Sequence, residues 1–132
     1  MIRLSDSFGS VCYDAAMPSR LPADVRKRLE PIRLLVLDVD GVLTDGALIF
    51  AATGEAVKQF HVRDGLGIRM LMNAGIEVAV VTGRRSDAVT VRCREIGIRE
   101  ELVLQGARDK AHHLDQLEQT LELGHHEVAA MG

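Results

Sequence analysis

From Leu34 onward, apolar and polar positions fall into runs whose period changes along the chain. Leu34-Leu35-Val36-Leu37 is continuously apolar rather than alternating, the pattern of a strand buried on both faces of a parallel sheet. Ala47 to Phe50 and Ala56 to Phe60 are β-prone runs on either side of Thr53-Gly54, predicting a β-hairpin over about 47–61. Leu66, Met70, Leu71 and Ala74 form a helical stripe, with Asp64 as its N-cap and Gly75 as its stop. A second buried strand, Glu77 to Val81, leads to a helix that Ser86 opens, Val89, Cys93 and Ile96 line, and Gly97 closes. Leu102 to Leu104 predicts a third strand. A helix from about Asp109 to Leu123 places Ala111, Leu114, Leu117 and Leu121 on one side, and Val128 to Met131 begins a fourth strand.

Strands alternating with helical segments of this length predict an α/β fold of right-handed βαβ units, with a mainly parallel sheet and helices on both faces. Before this core, residues 1–22 mix Ser, Asp and Gly with two prolines without periodicity, and are expected to form a flexible leader. The folded unit then spans 23–132. It opens on a short charged helix, Ala23 to Glu30, ended by Pro31.

Composition narrows the function classes. The chain has 132 residues, 47% hydrophobic and 27% charged, enough for one domain with a core that needs no staple. A net charge of -3 lacks the basic excess that drives nucleic-acid binding, so no nucleic-acid partner is expected. Cys12 and Cys93 stand far apart, outside any metal or redox spacing, and read as free thiols of a reducing compartment. The apolar runs are too short for a membrane span, and the first residues lack a secretory h-region. The expected location is cytoplasmic, without a membrane partner.

In an open parallel sheet, ligands bind beyond the carboxyl ends of the strands. The first strand exits through Asp38-Val39-Asp40-Gly41-Val42-Leu43-Thr44-Asp45-Gly46, the second through Thr82-Gly83-Arg84, and Lys110 follows the third. Asp38 and Asp40, two residues apart, project to one side, and Gly41 allows a sharp turn beside them. Carboxylates this close suit a hard divalent cation or a shared proton. Thr82 and Gly83 offer a hydroxyl and a backbone N–H to a phosphoryl oxygen. Lys110, one of three lysines in the chain, falls in the first turn of a helix, where the macrodipole disfavours a cation unless an anion is near. These are the parts of phosphoryl transfer through an acyl-phosphate.

This constellation resembles the haloacid dehalogenase superfamily of aspartate-nucleophile phosphatases. Within it, the hairpin followed by Phe60-His61-Val62-Arg63-Asp64-Gly65-Leu66-Gly67 is similar to the 3-deoxy-D-manno-octulosonate 8-phosphate phosphatases, from about Ile32 to the last residue. The resemblance implies a Rossmann-like three-layer sandwich with a β-hairpin flap in place of a cap domain; only seventeen residues, 46–62, separate Asp45 from Arg63. It implies a sugar-phosphate substrate and Mg²⁺ held by the Asp38 side chain and the Asp40 carbonyl. Asp38 is then the nucleophile, Asp40 the acid and base, Thr82 and Gly83 the phosphoryl grip and Lys110 the counter-cation, with Arg63 and Arg84 on substrate anions. It also implies a homotetramer in which neighbouring hairpins cover each site.

The family continues past its fourth strand into a Gly-Asp-Asp whose acids complete the metal shell. This sequence ends at Met131-Gly132, so the expectation is a core incomplete at its carboxyl end, with a weaker metal site. A nonulosonate 9-phosphate phosphatase would share every residue named, and the incompleteness adds weight to a third reading, a catalytically silent assembly or regulatory subunit. A receiver-type signalling domain fits worse, because Val39 splits the acids and no Asp directly follows Leu104. His112-His113 and His125-His126 lack metal-ligand spacing, and Gly65-Leu66-Gly67 lacks a third glycine and a preceding buried strand, so neither zinc nor a dinucleotide is expected.

Overall fold

A computed structural model of the chain describes residues 21–54 and 56–132. Most of the predicted leader, with Cys12, lies outside the described residues. After helix α1 (Ala23–Leu29) come strand β1 (Leu34–Leu37), the short hairpin strands β2 (Ile49–Phe50) and β3 (Ala56–Val57), and helix α2 (Val62–Asn73). They are followed by β4 (Glu77–Thr82), α3 (Asp87–Ile96), β5 (Val103–Gln105), α4 (Lys110–Thr120) and β6 (Val128–Met131).

β1, β4, β5 and β6 form one parallel sheet in the order β5-β4-β1-β6, with Leu37 opposite both Val80 and Met131. The chain steps from β1 through β4 to β5 in one direction and returns across the sheet to β6. Right-handed crossovers therefore place α2 and α3 on one face and α4 on the other. The sheet's continuous apolar runs are buried on both faces as predicted: Leu34, Val36 and Leu37 in β1, and Val78 to Val81 in β4. Val39, Leu43, Ile68, Val89, Cys93 and Ile96 fill the side under α2 and α3.

Several local expectations change in three dimensions. α2 starts at Val62, capped by His61, whose Nδ1 accepts from the Arg63 N–H at 3.1 Å; Asp64 is not the cap but an acid in the first turn, where it suits the helix dipole. Its stripe also shifts. Gly65 and Ile68 are the buried residues, while Leu66 and Met70 are exposed, because α2 meets α3 along the face that carries the small Gly65. The third strand runs one residue later than expected, since Leu102 closes a 3₁₀ turn before Val103. α4 stops at Thr120 because Glu122 takes the left-handed region at φ 54°, which ends a helix without Gly124. Asp109 caps that helix through its side chain, accepting from the His112 N–H.

Cys93 lies in this core, and burial pushes its thiol up from 9.0 to about 11. The protonated thiol is the form the fold favours, so its contribution is complete below pH 9 and disappears as pH rises through 11. Two pH units of difference correspond to about 2–3 kcal/mol. Urea unfolding of the chain and of Cys93→Ala across pH 8–11.5 should therefore converge by about that much above pH 9; parallel curves would show the thiol does not titrate with folding.

Candidate active site

The parallel register brings the strand exits to one edge of the sheet. Asp38 directly follows β1, and its N–H donates to the Met131 carbonyl at 3.0 Å, so its backbone is held by β6. The turn after it is wound around Val39, whose carbonyl accepts from Leu43 at 2.9 Å and Thr44 at 3.1 Å. The Thr44 hydroxyl donates to the same carbonyl and accepts from the Gly46 N–H at 3.2 Å. Gly41 at φ 86° supplies the left-handed residue this tight loop needs. Apolar burial of Val39 and Leu43 and hydroxyl bonding of Thr44 thus hold the acidic pair still.

Asp38 is mostly enclosed, with 17% of its side chain exposed. One carboxylate oxygen accepts from the Val39 N–H at 2.7 Å, and the other pairs with Lys110 Nζ. Lys110 is the first residue of α4, so the carboxylate offsets the cost of a cation at that helix end. Thr82, the last residue of β4, is buried at 2% exposure; with Leu37 opposite Val80, it ends the neighbouring strand one residue beyond the level of Asp38. Its carbonyl accepts from the Ala107 N–H at 3.0 Å, tying the loop after β4 to the loop after β5. Gly83 is exposed in the first of these loops.

Asp40 is held from two other directions. Arg84 Nε lies 3.6 Å from one of its oxygens, and Lys58 Nζ pairs with the other. Only 3% of the Lys58 side chain is exposed. Two carboxylates therefore face three cations, Lys58, Arg84 and Lys110, leaving the cluster with a local positive excess that favours an anionic ligand. A groove of about 160 Å³ adjoins it, lined by Asp38, Lys110, Ala111, Leu114, Ala130 and Met131.

Six of the seven residues singled out in the sequence, Asp38, Asp40, Thr82, Gly83, Arg84 and Lys110, lie at this one edge. Arg63 is exposed in the first turn of α2; among the described residues no hydrogen bond or ion pair joins its side chain to the acidic cluster. Lys58 is the residue the sequence reading missed. A lysine in a β-prone run reads as solvent-facing, yet the run is inverted here, with Val57 exposed and Lys58 inward. The available signal was Phe60, an aromatic two residues on that packs against the core; in extended backbone, side chains two apart share a face.

As a metal site the cluster offers oxygen donors alone, the Asp38 carboxylate and the Asp40 backbone carbonyl, which suits a hard divalent cation. No group of three or more His, Cys, Asp or Glu is placed for metal binding among the described residues. The fit is partial, with water or a bound phosphate left to supply the other positions.

No family model matches the chain. It is 44% identical over 110 residues to the 3-deoxy-D-manno-octulosonate 8-phosphate phosphatase KdsC of Escherichia coli K12, a match covering 83% of this chain and 57% of that protein. Among solved structures it resembles the 3-deoxy-D-manno-octulosonate 8-phosphate phosphatase of Moraxella catarrhalis, determined in complex with magnesium, phosphate and KDO. The TM-score is 0.78 at 37% identity, covering 83% of this chain and 62% of that one. A Legionella pneumophila hydrolase proposed to belong to the HAD superfamily, subfamily III A, matches with a TM-score of 0.76 at 39% identity, covering 80% and 57% of the two chains. The chain spans about half the length of the curated relatives it matches, 42% and 57% in two of them.

Proposed function

From a chain with the haloacid dehalogenase fold and a sequence similar to the 3-deoxy-D-manno-octulosonate 8-phosphate phosphatases, we propose that the cluster at the sheet edge hydrolyses a sugar phosphomonoester through an aspartyl-phosphate. The observation that carries the reading is the pairing of Lys110 with Asp38, 72 residues apart in sequence, at the edge where the strand carrying Thr82 also ends. An Asp38 oxygen attacks phosphorus in line, the bond from phosphorus to the sugar oxygen breaks, and Asp40, which enters each cycle carrying the proton taken from the previous hydrolytic water, gives that proton to the departing alkoxide. Asp40 then takes a proton from water, which attacks the same phosphorus; the bond to Asp38 breaks and inorganic phosphate leaves. Lys110, Thr82 and the Gly83 N–H bind the non-bridging oxygens and hold the group in line. The Asp38 carboxylate and the Asp40 carbonyl would hold Mg²⁺, which would supply neutralisation of charge on the transferring group. Arg84, and Arg63 from the hairpin side, are proposed contacts for the substrate's remaining anionic groups.

With no large insertion after the first strand, closure over the substrate falls to the hairpin. Ile49, Phe50 and Val57 are exposed on it, as are Val62, Leu66 and Met70 on the helix that follows. Such an apolar surface supports association of copies, and we propose a homotetramer. Among the described residues no helix is long and apolar enough to cross a membrane; the proposed place of action is the bacterial cytoplasm.

The test is phosphate release from a panel of acidic sugar phosphates, including the eight-carbon 8-phosphate and a nonulosonate 9-phosphate, with Mg²⁺ or with EDTA. The Escherichia coli relative serves as positive control. Magnesium-dependent release, fastest with the eight-carbon acid, is expected. Preference for the nine-carbon acid would reassign the substrate. Silence where the control turns over would reassign the chain as a non-catalytic subunit.

A further inference from the structure

Two arginines hold α2 and α3 together from opposite ends. Arg69 on α2 donates from Nε to the Ile96 carbonyl at 3.2 Å and from Nη2 to the Glu95 carbonyl, at the end of α3. Arg92 on α3 reaches the other way, donating from Nη2 to the His61 carbonyl at 3.2 Å while its Nη1 pairs with Glu95 at 2.9 Å. The guanidinium crosses over Gly65, where a Cβ would stand 2.5 Å from Nη2. A Cβ at 65 would require the Arg92 guanidinium, the group that holds the His61 carbonyl, to shift.

His61 is the N-cap of α2, three residues after Lys58. The segment between them spans about 10 Å at most, so where His61 is held limits where Lys58 can go. The hairpin itself adds little constraint, because two-residue strands paired only with each other are marginal. We propose that Arg92 is a positioning residue: by gripping the His61 carbonyl across Gly65, it sets the hairpin stem so that the Lys58 ammonium lies on the Asp40 carboxylate. This rests on reading Asp38 and Asp40 as the catalytic pair. Arg92 touches neither; it acts through four residues of chain, and it gives Gly65 a reason beyond turning into a helix.

Limited trypsinolysis reads the claim without any substrate, since trypsin can cut after Lys58 only once that side chain leaves Asp40. The peptide ending at Lys58 is quantified by mass spectrometry in the wild type, Arg92→Met, Arg92→Lys and Arg69→Met. Each rate is normalised to cleavage after Arg94, within α3, which reports opening of the helices themselves. Losing a charged hydrogen bond on one local unit should raise the normalised cleavage by about tenfold in Arg92→Met. Arg92→Lys should recover most of the protection, and Arg69→Met, which loosens the same helix pair, should leave the ratio near the wild-type value. In the magnesium assay Arg92→Met should lower kcat by about tenfold with KM within about twofold, a misplaced group costing turnover more than binding.

A normalised ratio unchanged in Arg92→Met, or raised equally in Arg69→Met, overturns the positioning role. So does a loosened hairpin with unchanged kcat in an active enzyme. If the wild type releases no phosphate at all, the hydrolase reading fails, while the Lys58 ratio still decides whether Arg92 sets the hairpin.

Discussion

Asp38→Asn should lower phosphate release by at least about 10³-fold, because the side chain keeps its shape and loses its reactivity. An amide oxygen at Oδ1 still accepts the Val39 N–H, so the tight turn after β1 survives. What disappears is the anion that attacks phosphorus and pairs with Lys110. The lysine is half exposed and stays solvated without its partner, so the change should cost the fold less than about 1 kcal/mol. Turnover with magnesium and the urea midpoint of the same preparation give both readouts. Activity within tenfold of wild type, with the midpoint unchanged, would rule out a covalent intermediate at this position.

Leu34→Ala should have the largest effect on stability, about 3–5 kcal/mol. Leu34 has no exposed surface and sits in β1, opposite Glu77 on one side and Val128 on the other. Strands on both sides and helices on both faces leave little that can move in to fill the space, so the cavity persists. Against a total stability of about 5–15 kcal/mol for a typical domain, that loss leaves a large unfolded fraction at growth temperature. Val91→Ala, at an exposed position on α3, is the matched control and should stay within about 0.5 kcal/mol. Urea midpoints with a common slope distinguish the two; equal shifts would mean that β1 is not the centre of the core.

Much of the candidate site is legible in the sequence, because its residues stand at strand exits. A continuous apolar run marks a doubly buried strand, and in a parallel sheet the next residues must emerge where ligands bind. This pattern points to Asp38, Asp40 and Thr82, and the unusual placement of a cation at a helix start points to Lys110. Neither signal points to Lys58 or Arg92. Lys58 belongs to a hairpin outside the main sheet, where local pattern does not say which face turns inward. Arg92 acts through a backbone carbonyl on another helix, a contact that no spacing encodes. The same limit explains α2, whose amphipathic stripe pointed to Leu66 and Met70 while Gly65 and Ile68 face inward. The larger apolar residues were the obvious choice for a core, but close approach to α3 selected the small one.

The sequence by itself determined the strands, the order in which strands and helices alternate, and which residues leave the first strand, because hydrophobic period and turn chemistry are local properties. The tertiary structure alone decided which cations meet which carboxylates: Lys110 with Asp38, Lys58 and Arg84 with Asp40. It also decided that an arginine on α3 would hold the stem of the hairpin. Those pairings depend on strand order and on the packing of one helix against another, which bring together side chains dozens of residues apart, and pairwise electrostatics acts on distance in space rather than on separation along the chain.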